Sequence, residues 1–153
     1  MELLGVARRL ARASPARPRQ ADLRRAVSTA YFALFHALAR QCADFWIGGK
    51  GADRSSRAWA HAYRTLEHGH AKSRCMSSGT RSFPEEIQNF ADVFVRLQNQ
   101  RHRADYDPNA RYRRKDVLLM VELAEIAMRR FKAAPRKHRR AFVVWVTSRH
   151  KPR

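Results

Sequence analysis

Apolar residues recur at steps of three and four along most of this chain, which is the period of an α-helix that buries one face. The longest such pattern covers residues 21–46, and its apolar positions are Leu23, Val27, Tyr31, Leu34, Leu38, Cys42 and Phe45. A second apolar stripe lies beside the first and consists of Phe32, Phe35, Ala39 and Trp46. A surface this wide predicts a helix that is buried on more than one side, either at the centre of a bundle or partly in a contact between two subunits.

Shorter helices are predicted before and after this one. The same period predicts them over residues 2–13, 55–67 and 115–133. A further helix is predicted to begin near Ser82, because serine can cap a helix, proline is tolerated in the first turn, and glutamates favour the positive end of the dipole. It is predicted to end near Arg103, before a segment rich in turn-forming residues.

Two segments lack a clear helical period. Glycines and serines between residues 68 and 81 predict a loop or a broken helix. After Pro135 the run 141–146 is rich in β-branched residues, but no partner strand is visible in the sequence, so a short helix is predicted. The chain is therefore predicted to be an all-α, up-and-down bundle of about five or six helices. Residues 1–134 form the bundle, and residues 135–153 form a basic C-terminal extension.

The charge balance indicates a polyanionic partner. The chain has 153 residues, with 32 Lys+Arg against 13 Asp+Glu and a formal net charge of +19. Hydrophobic residues make up 44%, which is enough for one domain with a core. Such a protein attracts nucleic acid first and anionic membranes second, and no apolar run is long enough to cross a membrane, so a membrane is not the expected partner. Residues 126–153 contain ten Lys or Arg and no acid, and the candidates for nucleic-acid contact there are Arg136, Lys137, Arg139 and Arg140.

Cysteine and histidine usage predicts neither a disulfide framework nor a metal site. Cys42 and Cys75 are too few for a framework and suit a reducing cytoplasm, which is the predicted location. Cys42 and His36 lie within the apolar pattern of residues 21–46 and are interpreted as core residues. The candidate metal ligands are His61, His68, His70 and Cys75. They match no established spacing, so no cofactor or metal is expected.

Two runs of residues resemble the HEPN superfamily. Residues 24–37 read Arg-Arg-Ala-Val-Ser-Thr-Ala-Tyr-Phe-Ala-Leu-Phe-His-Ala and are similar to the core helix of small bacterial HEPN proteins. Residues 96–108 end in Ala-Asp-Tyr-Asp-Pro and are similar to the segment that ends a later helix of those proteins. Together with the order and spacing of the predicted helices, the resemblance covers roughly residues 2–133.

The resemblance implies a catalytic pair. Many HEPN proteins are metal-independent ribonucleases in which an arginine is followed four to six residues later by a histidine, and Arg96 and His102 fit that spacing. Histidine titrates near neutral pH and can carry the proton steps, whereas arginine offers a planar fork for the phosphate. Asp105 and Tyr106 could orient His102 or bind substrate, and the alternative is that they cap and pack the turn. Two arginines beside the pair are further candidates for nucleic-acid contact, namely Arg101 and Arg103.

Helical geometry constrains how this pair could act. Six steps on an ideal α-helix leave the side chains of Arg96 and His102 pointing about 120° apart. They converge on one phosphate only if the helix loosens near its end or if a second subunit completes the site. The resemblance implies the second route, since HEPN proteins typically pair with their two motifs facing one cleft. The alternative interpretation is that Arg96 is a solvated charge and His102 a cation favoured by the helix dipole.

These observations predict a dimeric HEPN-type endoribonuclease, toxin-like, that acts on RNA rather than DNA and is restrained by a separate antitoxin protein. The alternative is a non-enzymatic HEPN module that binds RNA or a protein partner through the same cleft. A basic helical DNA-binding protein ranks last, because no recognition helix with a helix-turn-helix pattern is present in the sequence.

Overall fold

The computed structural model describes residues 2–149, and within that range it contains helices and no strand. The α-helices are α1 (Glu2–Ala11), α2 (Gln20–Ile47), α3 (Ser56–Tyr63), α4 (His68–Met76), α5 (Glu85–Tyr106), α6 (Arg114–Ala133) and α7 (Arg136–Thr147), and a 3₁₀ turn covers Ser78–Ser82. The all-α class is confirmed, with seven α-helices in the described residues where five or six were predicted. None of these helices is long and apolar enough to cross a membrane.

The central element is α2, which packs against α1, α3, α5, α6 and α7. Both of its apolar stripes are covered within the chain: Ala39 is fully buried, Phe35 nearly so, and Phe32 is half-buried. Only Trp46 of the second stripe is largely exposed, at 47%. The width of the apolar surface is therefore explained by the central position of α2, and it does not by itself require a second subunit.

Cys42, on α2, is fully buried, as the sequence predicted. Burial raises the pKa of its thiol to about 12, so the group stays protonated and packs as a small apolar side chain. His36, on the same helix, was predicted to be a core residue, and that prediction is wrong because its side chain is exposed.

The predicted boundaries differ most between α2 and α5. The helix predicted over residues 55–67 ends at Tyr63, and α4 occupies the segment where a loop or a broken helix was predicted. Only two residues of α4 are buried, the small pair Ala71 and Cys75, so the helix leaves almost no apolar period in the sequence. Packing against α5 and α7 stabilises it instead.

The boundaries of α5 also differ from the prediction. Ser82 belongs to the 3₁₀ turn, and the N-cap position is Pro84, with no capping side chain. At the other end the helix continues three residues past Arg103 to Tyr106, and the backbone N–H of Asp107 donates to the Arg103 carbonyl to close the last turn at 2.9 Å.

The segment after Pro135 forms the predicted helix, α7, as part of the common core. Phe142, Val143 and Val146 are fully buried in the same cluster as the residues of α2 and α5. The predicted boundary at residue 135 therefore marks the start of a helix within one packed unit. The last part of the predicted extension, residues 150–153, lies outside the described residues.

The role of α7 in the core can be measured by a matched pair of substitutions. Phe142→Ala removes a ring that packs against Phe83, Phe90 and Phe131, with centroids 5.5, 6.3 and 5.8 Å away. We expect it to lower the free energy of unfolding by about 3–5 kcal/mol. Val144→Ala, on the exposed side of the same helix, should change it by less than about 0.5 kcal/mol. Equal effects in chemical denaturation would show that α7 is not part of the core.

Candidate functional site

The two runs that resemble HEPN proteins are joined by one side chain, Arg24 on α2. Its Nη1 donates to the carbonyls of Ala104 and Asp107 at 2.9 and 2.8 Å. Its Nη2 donates to the carbonyls of Pro108 and Ala110. Helix ends leave carbonyls without partners, and here one guanidinium supplies four hydrogen bonds at and just beyond the end of α5. The end of α5 is therefore fixed against the first half of α2.

The predicted pair Arg96 and His102 is not brought together within the chain. Helix α5 is regular through Tyr106, so the two side chains point about 120° apart and lie about 9 Å apart along the axis. Arg96 is exposed beside a shallow groove that also contains Asp92 and Asn99. The exposed His102 packs on the ring of Tyr106 at 5.0 Å between centroids. A shared site would therefore require a second subunit.

The residues predicted to support His102 have other contacts in the structure. The carboxylate of Asp105 accepts a hydrogen bond from Nε of Arg101 at 2.9 Å and one from the hydroxyl of Ser28 at 3.4 Å. Tyr106 is 66% exposed and contacts His102 through its ring. Asp105 thus positions Arg101, while Arg103 is exposed to solvent on the same helix.

The predicted cations of α7 lie at the other end of α2. The guanidinium groups of Arg136 and Arg139 lie over the ring of Phe45 at 5.2 and 5.6 Å. Arg139 also donates to the carbonyl of Ala134 at 3.0 Å and to the side chain of Gln41 at 3.3 Å. The other two predicted cations are exposed, Lys137 and Arg140. Since Arg24 and Phe45 are 21 positions apart on one helix, the α7 cations and the end of α5 are separated by roughly 30 Å along α2.

A cluster of aromatic and imidazole rings lies where α2 meets α3, α4 and α5. The sequence analysis did not predict that these side chains lie together. It contains two histidine–tyrosine pairs, in which Nδ1 of His68 lies 2.6 Å from the hydroxyl of Tyr31 and Nδ1 of His36 lies 2.6 Å from the hydroxyl of Tyr63. The His68 ring stacks on Phe35 at 3.8 Å between centroids. We refer to the set as the imidazole cluster, and it consists of Tyr31, Phe32, Phe35, His36, Tyr63 and His68.

Arg101 lies over one edge of the imidazole cluster. Its guanidinium carbon is 5.1 Å from the centre of the Phe32 ring and 5.8 Å from that of Tyr31. Asp105 holds Nε, whereas the two terminal nitrogens have no hydrogen-bond partner among the described residues. A guanidinium held in this way presents a planar fork that matches a phosphate or a carboxylate.

The protonation states in the cluster follow from burial and from nearby charge. Burial lowers the pKa of His68, and the positive charges of Arg101 and His36 act in the same direction. Burial raises the pKa of Tyr31, so its hydroxyl remains protonated. Nε2 of His68 has no partner among the described residues and is not a buried atom. The cluster therefore leaves Nε2 of His68 accessible, and the lowered pKa favours the neutral form of its imidazole.

The residues considered as metal ligands do not assemble into such a site. Among residues 2–149 there is no group of three or more His, Cys, Asp or Glu side chains that could hold a metal ion. His68 belongs to the imidazole cluster, and His70 instead interacts through Nε2 with the carbonyl of Ser148 at 3.0 Å.

The influence of Arg101 on His68 can be tested by titration. Arg101→Gln removes a positive charge that disfavours the imidazolium, so the pKa of His68 should rise toward its ordinary value. Burial remains in the variant, so part of the depression should remain. Arg103→Gln removes an exposed charge two positions away and should leave the pKa of His68 unchanged. Histidine resonances in NMR spectra would report both effects, and equal pKa values in the two variants would contradict the assigned geometry.

Comparison of the chain with protein-family models, with curated protein sequences and with solved structures found no match. The resemblance to the HEPN superfamily therefore rests on the two sequence runs described above, and the function is inferred from the residues and the geometry of this chain.

Proposed function

We propose that this protein binds RNA through the phosphate backbone. The observation that carries the proposal is positive charge that the fold does not neutralise. The chain has 32 Lys+Arg and a net charge of +19, yet the described residues form seven ion pairs, each with one arginine. Most of the cations among residues 2–149 form no ion pair with a carboxylate. A protein with such a field attracts polyanions and gains affinity as counterions are released.

The distribution of the exposed cations favours a long ligand over a small anion. One group lies at the end of α5 and includes Arg103, and the other lies at the start of α7 and includes Lys137 and Arg140. Their separation of roughly 30 Å along α2 exceeds the reach of a mononucleotide but not that of a short strand. The preference for RNA over DNA comes from the resemblance to HEPN proteins.

The α7 group can be tested in a variant in which three exposed cations are each replaced by glutamine. The replaced residues are Arg136, Lys137 and Arg140. If each contacts a phosphate of single-stranded RNA, the slope of log Kobs against log salt should become shallower by about 2. Fluorescence anisotropy with a labelled RNA at several salt concentrations would measure it. The matched control removes the same number of positive charges elsewhere, by replacing three exposed arginines with glutamine. They are Arg9 on α1 and Arg12 and Arg17 in the segment that follows it. Equal losses of slope in the two variants would show that binding reflects net charge and not this surface.

Metal-independent cleavage of RNA is the second candidate function, with Arg96 and His102 as the pair that the resemblance indicates. The observation that favours it is that both side chains are exposed on the same helix, and neither forms an ion pair among the described residues. Because α5 is regular between them, this candidate requires a homodimer in which each subunit completes the site of the other. An antitoxin-type protein would then bind over the same cleft.

A mixing experiment tests the two-subunit site. Arg96→Ala and His102→Ala should each abolish cleavage, whereas mixing the two inactive proteins should restore about a quarter of the wild-type rate. Random exchange makes half of the dimers mixed, and each mixed dimer has one intact site out of two. The products should carry 2′,3′-cyclic phosphates and form in the presence of EDTA. No recovery on mixing would contradict a shared site, and no cleavage by the wild type would leave the non-enzymatic RNA-binding module.

A further inference from the structure

A cavity of about 220 Å³ lies where the start of α1 and the end of α6 meet the middle of α2. Its floor is apolar and consists of buried side chains, namely Leu38, Phe90, Met128 and Phe131. Two alanines of α2, Ala33 and Ala37, also line the cavity and contribute only methyl groups to it. The space is therefore apolar inside and is not filled by the chain's own described residues.

An apolar floor of this kind suits a hydrocarbon better than water. A buried water needs at least two polar partners, and the side chains of the floor offer no strong donor or acceptor. Protein interiors are otherwise close-packed, so side chains around a void lose the contacts that a filled core would give them. Since a cavity of about 150 Å³ can hold benzene, this cavity has room for roughly nine non-hydrogen atoms.

The rim of the cavity carries polar groups that favour an anion. Arg40 and Lys132 are exposed there, and neither forms an ion pair among the described residues. Gln41 accepts a hydrogen bond from Arg139 through Oε1 at 3.3 Å, and its amide nitrogen has no partner among the described residues. Glu2 is the one carboxylate among the described residues of the rim. Two cations against one acid leave an excess of one positive charge, which matches a singly charged headgroup.

We propose that this cavity binds a medium-chain carboxylate, with the hydrocarbon chain on the apolar floor and the carboxylate at the rim, in contact with Arg40 and the amide of Gln41. A guanidinium offers a planar fork that matches a carboxylate. The positive field of the whole chain, with its net charge of +19, adds to the preference for an anion. The proposal does not depend on RNA binding, because none of the cations assigned to the RNA lines the cavity.

Octanoate is the probe, and the full chain carries ¹³C at its methionine methyl groups. Met128 belongs to the floor of the cavity, whereas Met76 is 64% exposed, and Met120 lies about 12 Å further along α6. Octanoate should shift the Met128 methyl resonance in NMR spectra until it saturates, and it should leave the resonances of Met76 and Met120 in place.

Related probes separate the role of the chain from that of the charge. Affinity should rise about fourfold with each methylene from butanoate to octanoate, because each added methylene is buried. Acetate carries the charge without the chain and should not shift the Met128 resonance. Octan-1-ol should bind more weakly than octanoate, and octylamine more weakly still, because its ammonium meets the cations of the rim.

Three variants test the position of the ligand. Ala37→Leu fills the cavity and should abolish octanoate binding. Arg40→Gln should weaken binding about threefold to fivefold, whereas Glu2→Gln removes a like charge and should strengthen it by up to about threefold. The matched control is Arg103→Gln, which removes an exposed arginine that does not line the cavity and should leave the affinity unchanged.

A saturable Met128 shift that is lost in Ala37→Leu supports the proposal. Circular dichroism identifies a variant that has unfolded, and the opposite effects of Arg40→Gln and Glu2→Gln decide the matter if Ala37→Leu is one of them. Absence of saturation, or equal shifts of Met76 and Met128, overturns the proposal, because octanoate then only adsorbs to the surface. Tighter binding of octylamine than of octanoate also overturns it. RNA is absent from these measurements, so either result leaves the proposed RNA binding untouched.

Discussion

The structure depends on the contact between Arg24 and the end of α5. A helix that ends against another helix exposes carbonyls that water reaches poorly, and each one left without a partner costs free energy. Arg24 satisfies the carbonyl of Ala104 in the last turn of α5 and three carbonyls of the segment that follows the helix. Gln20 makes two further hydrogen bonds with the backbone of Tyr112, both at 2.9 Å. These bonds set the position of α5 along α2, and that position in turn brings Phe94 to 5.6 Å from Tyr31 and Arg101 to the edge of the imidazole cluster.

The longer helices could be predicted from the sequence because their apolar period is strong and their ends are marked. The helix predicted over residues 115–133 begins one residue after the start of α6, and both end at Ala133. The helix predicted over residues 21–46 differs from α2 by one residue at each end. The period does not report how many neighbours a helix has. For that reason the sequence could not distinguish a central helix from one that also contacts a second subunit. In the structure, five other helices of the chain pack on α2. The segment of α4 was predicted to be a loop or a broken helix, because a helix with only two small buried residues leaves almost no apolar period in the sequence.

The candidate site contains contacts that cannot be predicted from residues that are close in the sequence. Arg96 and His102 are close in sequence, but a regular helix turns them apart. The interaction of Tyr31 with His68 spans 37 positions and depends on the packing of α4, so no spacing rule could reveal it. Arg101 was predicted to contact nucleic acid from its charge and position, yet its support by Asp105 and Ser28 became visible only in the fold. The sequence thus indicated the chemical type of the partner, whereas tertiary packing determines which cations are held in a defined geometry.

We propose that RNA binds to a defined surface that includes the end of α5 and the start of α7. Ultraviolet cross-linking of the complex followed by mass spectrometry tests it most directly, because aromatic and imidazole rings in contact with bases form covalent adducts that identify the contact residues. We expect adducts in peptides from the second half of α5 and from α7, with Tyr106 among the modified positions. A stable complex whose adducts fall only in α1 and α6 would contradict it.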